Sequence, residues 1–138
     1  MNIGILGAGN IAGSMARTIC GMAAQGRPVT LCAVASRSQE KADAFAKAYG
    51  IPRAYGSYAA MLNDPLVELV YIATPHSHHA EQIRQCIAAG KPVLCEKSFT
   101  ANAKQAEDVL REAEAAGVYV AEAIWTRYMP ARGMIAYI

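Results

Sequence analysis

Short apolar runs alternate with amphipathic stretches along the chain. The runs fall at 3–6, 29–35, 69–74, 92–95 and 118–121, each rich in Val, Ile or Leu without clean polar alternation. Strands covered on both faces read this way. Between them, apolar residues recur at helical spacing. Ile11, Met15, Ile19 and Met22 or Ala23 share one face, and Ala42, Phe45, Ala46 and Tyr49 share another. Ala80, Ile83 and Ile87 make a third stripe; Ala103, Ala106, Val109, Leu110 and Ala113 make a fourth. Gly50, Gly90 and Gly117 stand where the last three helices should end, each shortly before an apolar run or short strand.

Strand and helix repeated in this order predict an α/β fold, a doubly wound parallel sheet with right-handed crossovers. Residues 53–57 add a short strand, and Ser57 is placed to cap a brief helix through Leu62. Residues 129–138 read as the beginning of a further helix, with Pro130 suited to its first turn. No repeat, linker or low-complexity segment divides the chain, so residues 1–138 are read as one domain.

Composition narrows the class. The 138 residues are 54% hydrophobic and 17% charged, which excludes a disordered tail. Thirteen Lys and Arg against eleven Asp and Glu leave a formal +2. That balance is too even to call for nucleic acid or a membrane surface. No apolar run reaches the roughly eighteen residues of a membrane span. The uncharged stretch 1–16 is broken by Gly4, Gly7, Gly9 and Gly13 with no cation before it, unlike a signal peptide. Cys20, Cys32, Cys86 and Cys95 form no CxxC pair and no cluster with His. They read as reduced, mostly buried thiols of a cytoplasmic protein.

The first strand runs into Gly7-Ala8-Gly9-Asn10-Ile11-Ala12, a G-x-G-x-x-A loop that opens the first helix. Gly7 permits a tight turn, Gly9 lets the backbone approach a pyrophosphate, and Ala12 keeps the helix near the strand. An anion would then lie at the helix N-terminus, against free amides and the positive end of the dipole. A dinucleotide site follows from this context; a methyltransferase, which also has a glycine loop after its first strand, is the alternative.

An NAD site usually places Asp or Glu at the end of the second strand, but here the chain reads Ala35-Ser36-Arg37-Ser38. Ser36 can hydrogen-bond a phosphate, Arg37 can clamp it, and Lys41 lies one helical turn further on. This favours NADP over NAD.

After the strand at 69–74 come Pro75, His76, Ser77, His78 and His79. No Cys, Asp or Glu nearby completes a metal site, so no metal is expected there. The segment is read as a helix start above the carboxyl end of the sheet, where ligands bind. Glu96-Lys97 follows the run at 92–95 and faces the same crevice. Lys97, as an ammonium, can serve a carbonyl oxygen whose carbon receives a hydride, with Glu96 orienting or tuning it.

Gly7-Ala8-Gly9-Asn10-Ile11-Ala12, Ala73-Thr74-Pro75-His76 with His79, and Glu96-Lys97 stand in the order and spacing of the Gfo/Idh/MocA oxidoreductase family. The chain resembles that family's N-terminal Rossmann domain over essentially its whole length. Residues 122–130, Glu-Ala-Ile-Trp-Thr-Arg-Tyr-Met-Pro, look most like the dimeric dihydrodiol dehydrogenase branch, whose members prefer NADP.

The resemblance implies that Lys97 is the catalytic lysine. It places Gly7, Gly9, Asn10, Ile11, Ala12, Thr74, Pro75, His76, His79, Glu96 and Lys97 around the cofactor. His76 and His79 would line its nicotinamide end, and Ser36, Arg37 and Lys41 its 2′-phosphate. Trp125, with Arg127, matches the substrate side, although Trp125 suits a core position equally well. Family members commonly carry Pro after Glu-Lys, where this chain has Ser98.

They also continue into a second α/β domain that this chain lacks, so residues 1–138 are expected to be the N-terminal part of a longer protein. The implied function is the cofactor domain of an NADP(H)-dependent oxidoreductase acting on a sugar, polyol or diol. The alternative is a non-catalytic dinucleotide-binding sensor or regulatory module. An apolar surface left by the second domain would allow homo-oligomers.

Overall fold

The computed structural model describes residues 1–129. Its elements are β1 (Asn2–Leu6), α1 (Asn10–Ala24), β2 (Thr30–Ala35), α2 (Gln39–Tyr49), β3 (Arg53–Tyr55), α3 (Tyr58–Leu62) and β4 (Leu69–Ile72). A short 3-10 helix (His76–His78) leads into α4 (His79–Ala88). Then follow β5 (Val93–Cys95), α5 (Ala103–Ala116), β6 (Val120–Glu122) and a second 3-10 helix (Trp125–Tyr128). All strand pairs are parallel, in the order β3-β2-β1-β4-β5-β6. The direction of winding reverses between β1 and β4, which opens a crevice at their carboxyl ends.

The strands bury side chains on both faces, as their unbroken apolar runs require. On one face Ile3, Ile5, Leu31, Val34 and Tyr71 pack with Ala12, Ala16 and Ile19 of α1 and Phe45 of α2. On the other, Leu6, Ala33, Val70 and Ile72 pack with Met61 of α3, Ile83 and Cys86 of α4 and Val109 of α5. Gly50 and Gly117 end α2 and α5 in left-handed conformation. The hydroxyl of Ser57 caps α3 by accepting from the Ala60 amide at 3.2 Å.

Several expectations change in detail. The buried stripe of α1 is Ala12, Ala16 and Ile19, and Ile11 is 46% exposed. Small residues let α1 lie close to β1, and that rotation turns Ile11 and Met22 outward. Leu110 likewise faces solvent while Val109 and Ala113 anchor α5. The sixth strand starts at Val120 rather than 118, because the Val118 amide is spent on the Ala113 carbonyl in closing α5. The third strand stops at Tyr55, and Gly56 and Ser57 leave the ladder to begin α3. Beyond Met129, the helix expected over 129–138 lies outside the described residues. Cys32, Cys86 and Cys95 are buried free thiols, whereas Cys20 is exposed. No described helix is long and apolar enough to cross a membrane.

Candidate functional site

The turn after β1 is set by Gly7. Its amide donates to the Ala35 carbonyl at 2.8 Å, and its φ is +111°. A Cβ there would lie 2.9 Å from the Ala73 carbonyl oxygen, so β1 and the end of β4 approach closely only with glycine. Gly9 plays a different part. It is the N-cap of α1 in extended conformation, no side chain caps the helix, and a Cβ on Gly9 would meet nothing within 4 Å. The first-turn amides of α1 have no intrahelical acceptor, and with the positive end of the dipole they suit an anion.

Gly7, Gly9, Ser36, Arg37, Lys41, Thr74 and Pro75 converge on one cleft of about 240 Å³, joined by Ala8, Ala73 and Tyr58. No Asp or Glu lines it. The Arg37 and Lys41 side chains are both exposed and make no hydrogen bond or ion pair with another described residue. Ser38 positions Lys41 by capping α2, its hydroxyl accepting from the Lys41 amide at 3.3 Å. Ser36 is buried, its amide donating to the Tyr55 carbonyl at 3.0 Å. A second hollow of about 190 Å³ adjoins across Arg37, Tyr58 and Pro75 and is lined further by His78, Glu81, Gln82 and Gln85.

The histidines divide. His76 is exposed on the 3-10 helix at the crevice. His79 is wholly buried, with Nε2 2.9 Å from the Thr74 carbonyl oxygen and Nδ1 2.9 Å from that of Ser98. Its ring therefore braces the loops after β4 and β5 and does not line an open cofactor wall. Thr74 is also held from behind, its hydroxyl donating to Oε1 of buried Gln82. Among the described residues, no three His, Cys, Asp or Glu side chains group so as to hold a metal ion.

Glu96 and Lys97 leave the end of β5. The Glu96 carboxylate accepts from the Tyr71 hydroxyl and from the Lys97 amide (3.1 Å), so it is turned to the backbone and not to the lysine amine. The Lys97 side chain is exposed, and its peptide bond to Ser98 is cis. Trp125 is 62% exposed and is no core tryptophan. It borders an apolar groove of about 410 Å³ with Glu96, Leu94, Ala121 and Ala123. Arg127 lies on the same 3-10 helix.

The glycine cradle fits a dinucleotide: the space a Gly9 side chain would fill is open, and the charges around it are positive. Residues missed from the sequence are Tyr58, Gln82, Tyr71 and Glu122. Only Tyr58 left a signal, as the first residue of a Ser57-capped helix directly after a strand's carboxyl end.

Comparison with known proteins agrees with this geometry. Residues 1–124 match the Gfo/Idh/MocA oxidoreductase family, NAD-binding Rossmann fold. The chain belongs to that family and is an NAD(P)-binding Rossmann domain of the oxidoreductase type. It is 41% identical over 128 residues to trans-1,2-dihydrobenzene-1,2-diol dehydrogenase of Mus musculus, covering 93% of this chain and 38% of that protein. D-xylose 1-dehydrogenase (NADP(+)) of Hypocrea jecorina is 38% identical over 92% of this chain and 34% of its own length. A 3-ketoreductase from Actinomadura kijaniata, solved with NADP, superposes with a TM-score of 0.88 at 28% identity, over 99% of this chain and 42% of that one. The chain thus spans a little over a third of the length of these curated relatives.

Proposed function

We propose that this domain binds NADP(H), in preference to NAD(H), for an oxidoreductase acting on a sugar, polyol or diol. The observation that carries the reading is the pair of uncommitted cations, Arg37 and Lys41, on a glycine-lined cleft without a carboxylate. A carboxylate there would accept from a ribose 2′-hydroxyl and repel a 2′-phosphate; two cations do the reverse. The naming of the xylose dehydrogenase for NADP(+), and the ketoreductase solved with NADP, support the same choice.

In this reading the α1 amides and Gly9 hold the pyrophosphate, Arg37 and Lys41 the 2′-phosphate, and Thr74, Pro75 and His76 the wall toward the reacting end. A bound nicotinamide supplies or accepts the hydride. Lys97 would donate a proton to the substrate oxygen as an ammonium during reduction and take it back as the neutral amine during oxidation. Trp125 and Arg127 border the substrate. Orienting a substrate can be worth about 7–11 kcal/mol, so turnover is proposed for a protein that has the remaining length found in the relatives. Four free thiols suit a reducing, cytoplasmic setting.

Thermal unfolding with added nucleotides tests the binding claim. At 100 times Kd, NADP⁺ should add about 2.7 kcal/mol of stability, with a smaller gain from the same concentration of NAD⁺ and none from S-adenosylmethionine. Stabilisation by S-adenosylmethionine alone would replace this reading with a methyltransferase.

A further inference from the structure

The residues that carry Lys97 are held by side chains remote in sequence. Tyr71 is buried in the middle of β4, and its hydroxyl donates to Oε1 of Glu96, 25 residues on. Burial, then the neighbouring Glu96, push the Tyr71 phenol well above its ordinary range, so this group remains a donor throughout the working pH range. The other Glu96 oxygen accepts from the Lys97 amide. Past the lysine, the Ser98 carbonyl meets His79 and the Phe99 amide donates to Oε1 of Glu122 at 2.9 Å. The Lys97 amide is therefore held by its tethered neighbour Glu96, the Ser98 carbonyl by α4 and the Phe99 amide by β6.

The consequence for the amine is chemical. A glutamate next to a lysine normally has the freedom to pair with it. Here both Glu96 oxygens are engaged, one of them by a phenol that stays protonated, and no Glu96–Lys97 ion pair forms. We propose that Tyr71 is a positioning residue for Lys97: by tethering the Glu96 carboxylate it keeps the neighbouring ammonium uncommitted and available to a ligand. This rests on the reading of Lys97 as the group that serves the reacting end of the cofactor.

Tyr71→Phe removes one hydroxyl and keeps the ring. Glu96 is then released and pairs with Lys97, which slows attack by that amine. The test measures, residue by residue, acetylation by an N-hydroxysuccinimide ester in folded protein, with exposed Lys47 as the internal reference. Lys97 acetylation should fall about two- to fivefold relative to Lys47 in Tyr71→Phe. It should return to the parent rate in Tyr71→Phe/Glu96→Gln, where the side chain has no charge to pair. An unchanged Lys97 rate, or a loss that Glu96→Gln does not rescue, overturns the proposal and leaves Tyr71 a packing residue.

If the Phe variant does not fold, Glu96→Asp gives the same readout, since it withdraws the carboxylate from Tyr71 and keeps its charge. Titration of the unsubstituted protein with NADP⁺ separates the two claims. Failure to bind removes the cofactor reading, whereas the acetylation pattern reports on the tether alone.

Discussion

Replacing Arg37 by Ala should lower NADP⁺ affinity ten- to a hundredfold and leave NAD⁺ affinity within about twofold, measured by isothermal titration. The magnitude follows from what the side chain is free to do. The Arg37 guanidinium has no partner among the described residues, so none of them competes for it. A charge-assisted hydrogen bond is worth about 1.5–3 kcal/mol, and each 1.4 kcal/mol is a factor of ten. Arg37→Lys should recover only part of the loss, because a point charge does not replace a planar fork on a phosphate. Lys41→Ala should lose less than Arg37→Ala in the same assay. Equal losses for both dinucleotides would remove the 2′-phosphate assignment.

The two loop glycines should respond in opposite ways. Gly7→Ala places a Cβ 2.9 Å from the Ala73 carbonyl oxygen and 3.1 Å from its carbon, in a conformation with φ of +111°. Neither atom is the end of a flexible side chain, so the ends of β1 and β4 must separate. The expected loss is about 2–4 kcal/mol, seen as a fall in Tm of roughly 8–15 °C. Gly9→Ala meets nothing within 4 Å, and its backbone suits alanine. Its Tm should stay within about 2 °C of the parent, while NADP⁺ affinity should fall about tenfold or more, because the added methyl would project into the space proposed for the pyrophosphate. A Gly9→Ala protein that binds like the parent would move the ligand elsewhere.

Much of this was legible in the sequence. The five main apolar runs became strands, the left-handed glycines at 50 and 117 ended helices, and Ser57 capped α3. These signals are local: turns, caps and runs depend on neighbours a few residues away. Hydrophobicity alone ranks Ile11 above Ala12 and so predicts the wrong face of α1. Close approach to β1 reverses that order. The family resemblance implies His79 beside the cofactor, and no spacing rule reveals that its ring is buried between two carbonyls. Tyr71 and Glu122 gave no warning, since their partners Glu96 and Phe99 stand 25 and 23 residues away. Trp125 suited core and surface equally until the fold set it at the rim of an open groove.

The N-terminal end of α1 and the cations after β2 should hold one ligand together. Amide chemical-shift mapping during titration with NADP⁺ tests it directly. Saturable shifts should appear at Gly9, Asn10, Ile11 and Ala12 and, with the same Kd, at Arg37, Lys41 and Thr74. Adenosine 2′,5′-bisphosphate should move the Arg37 and Lys41 signals with weaker or no effect at Thr74. Shifts confined to the groove residues Leu94 and Ala121, or no saturable shift at Gly9 and Arg37, would show that these two elements do not share a ligand.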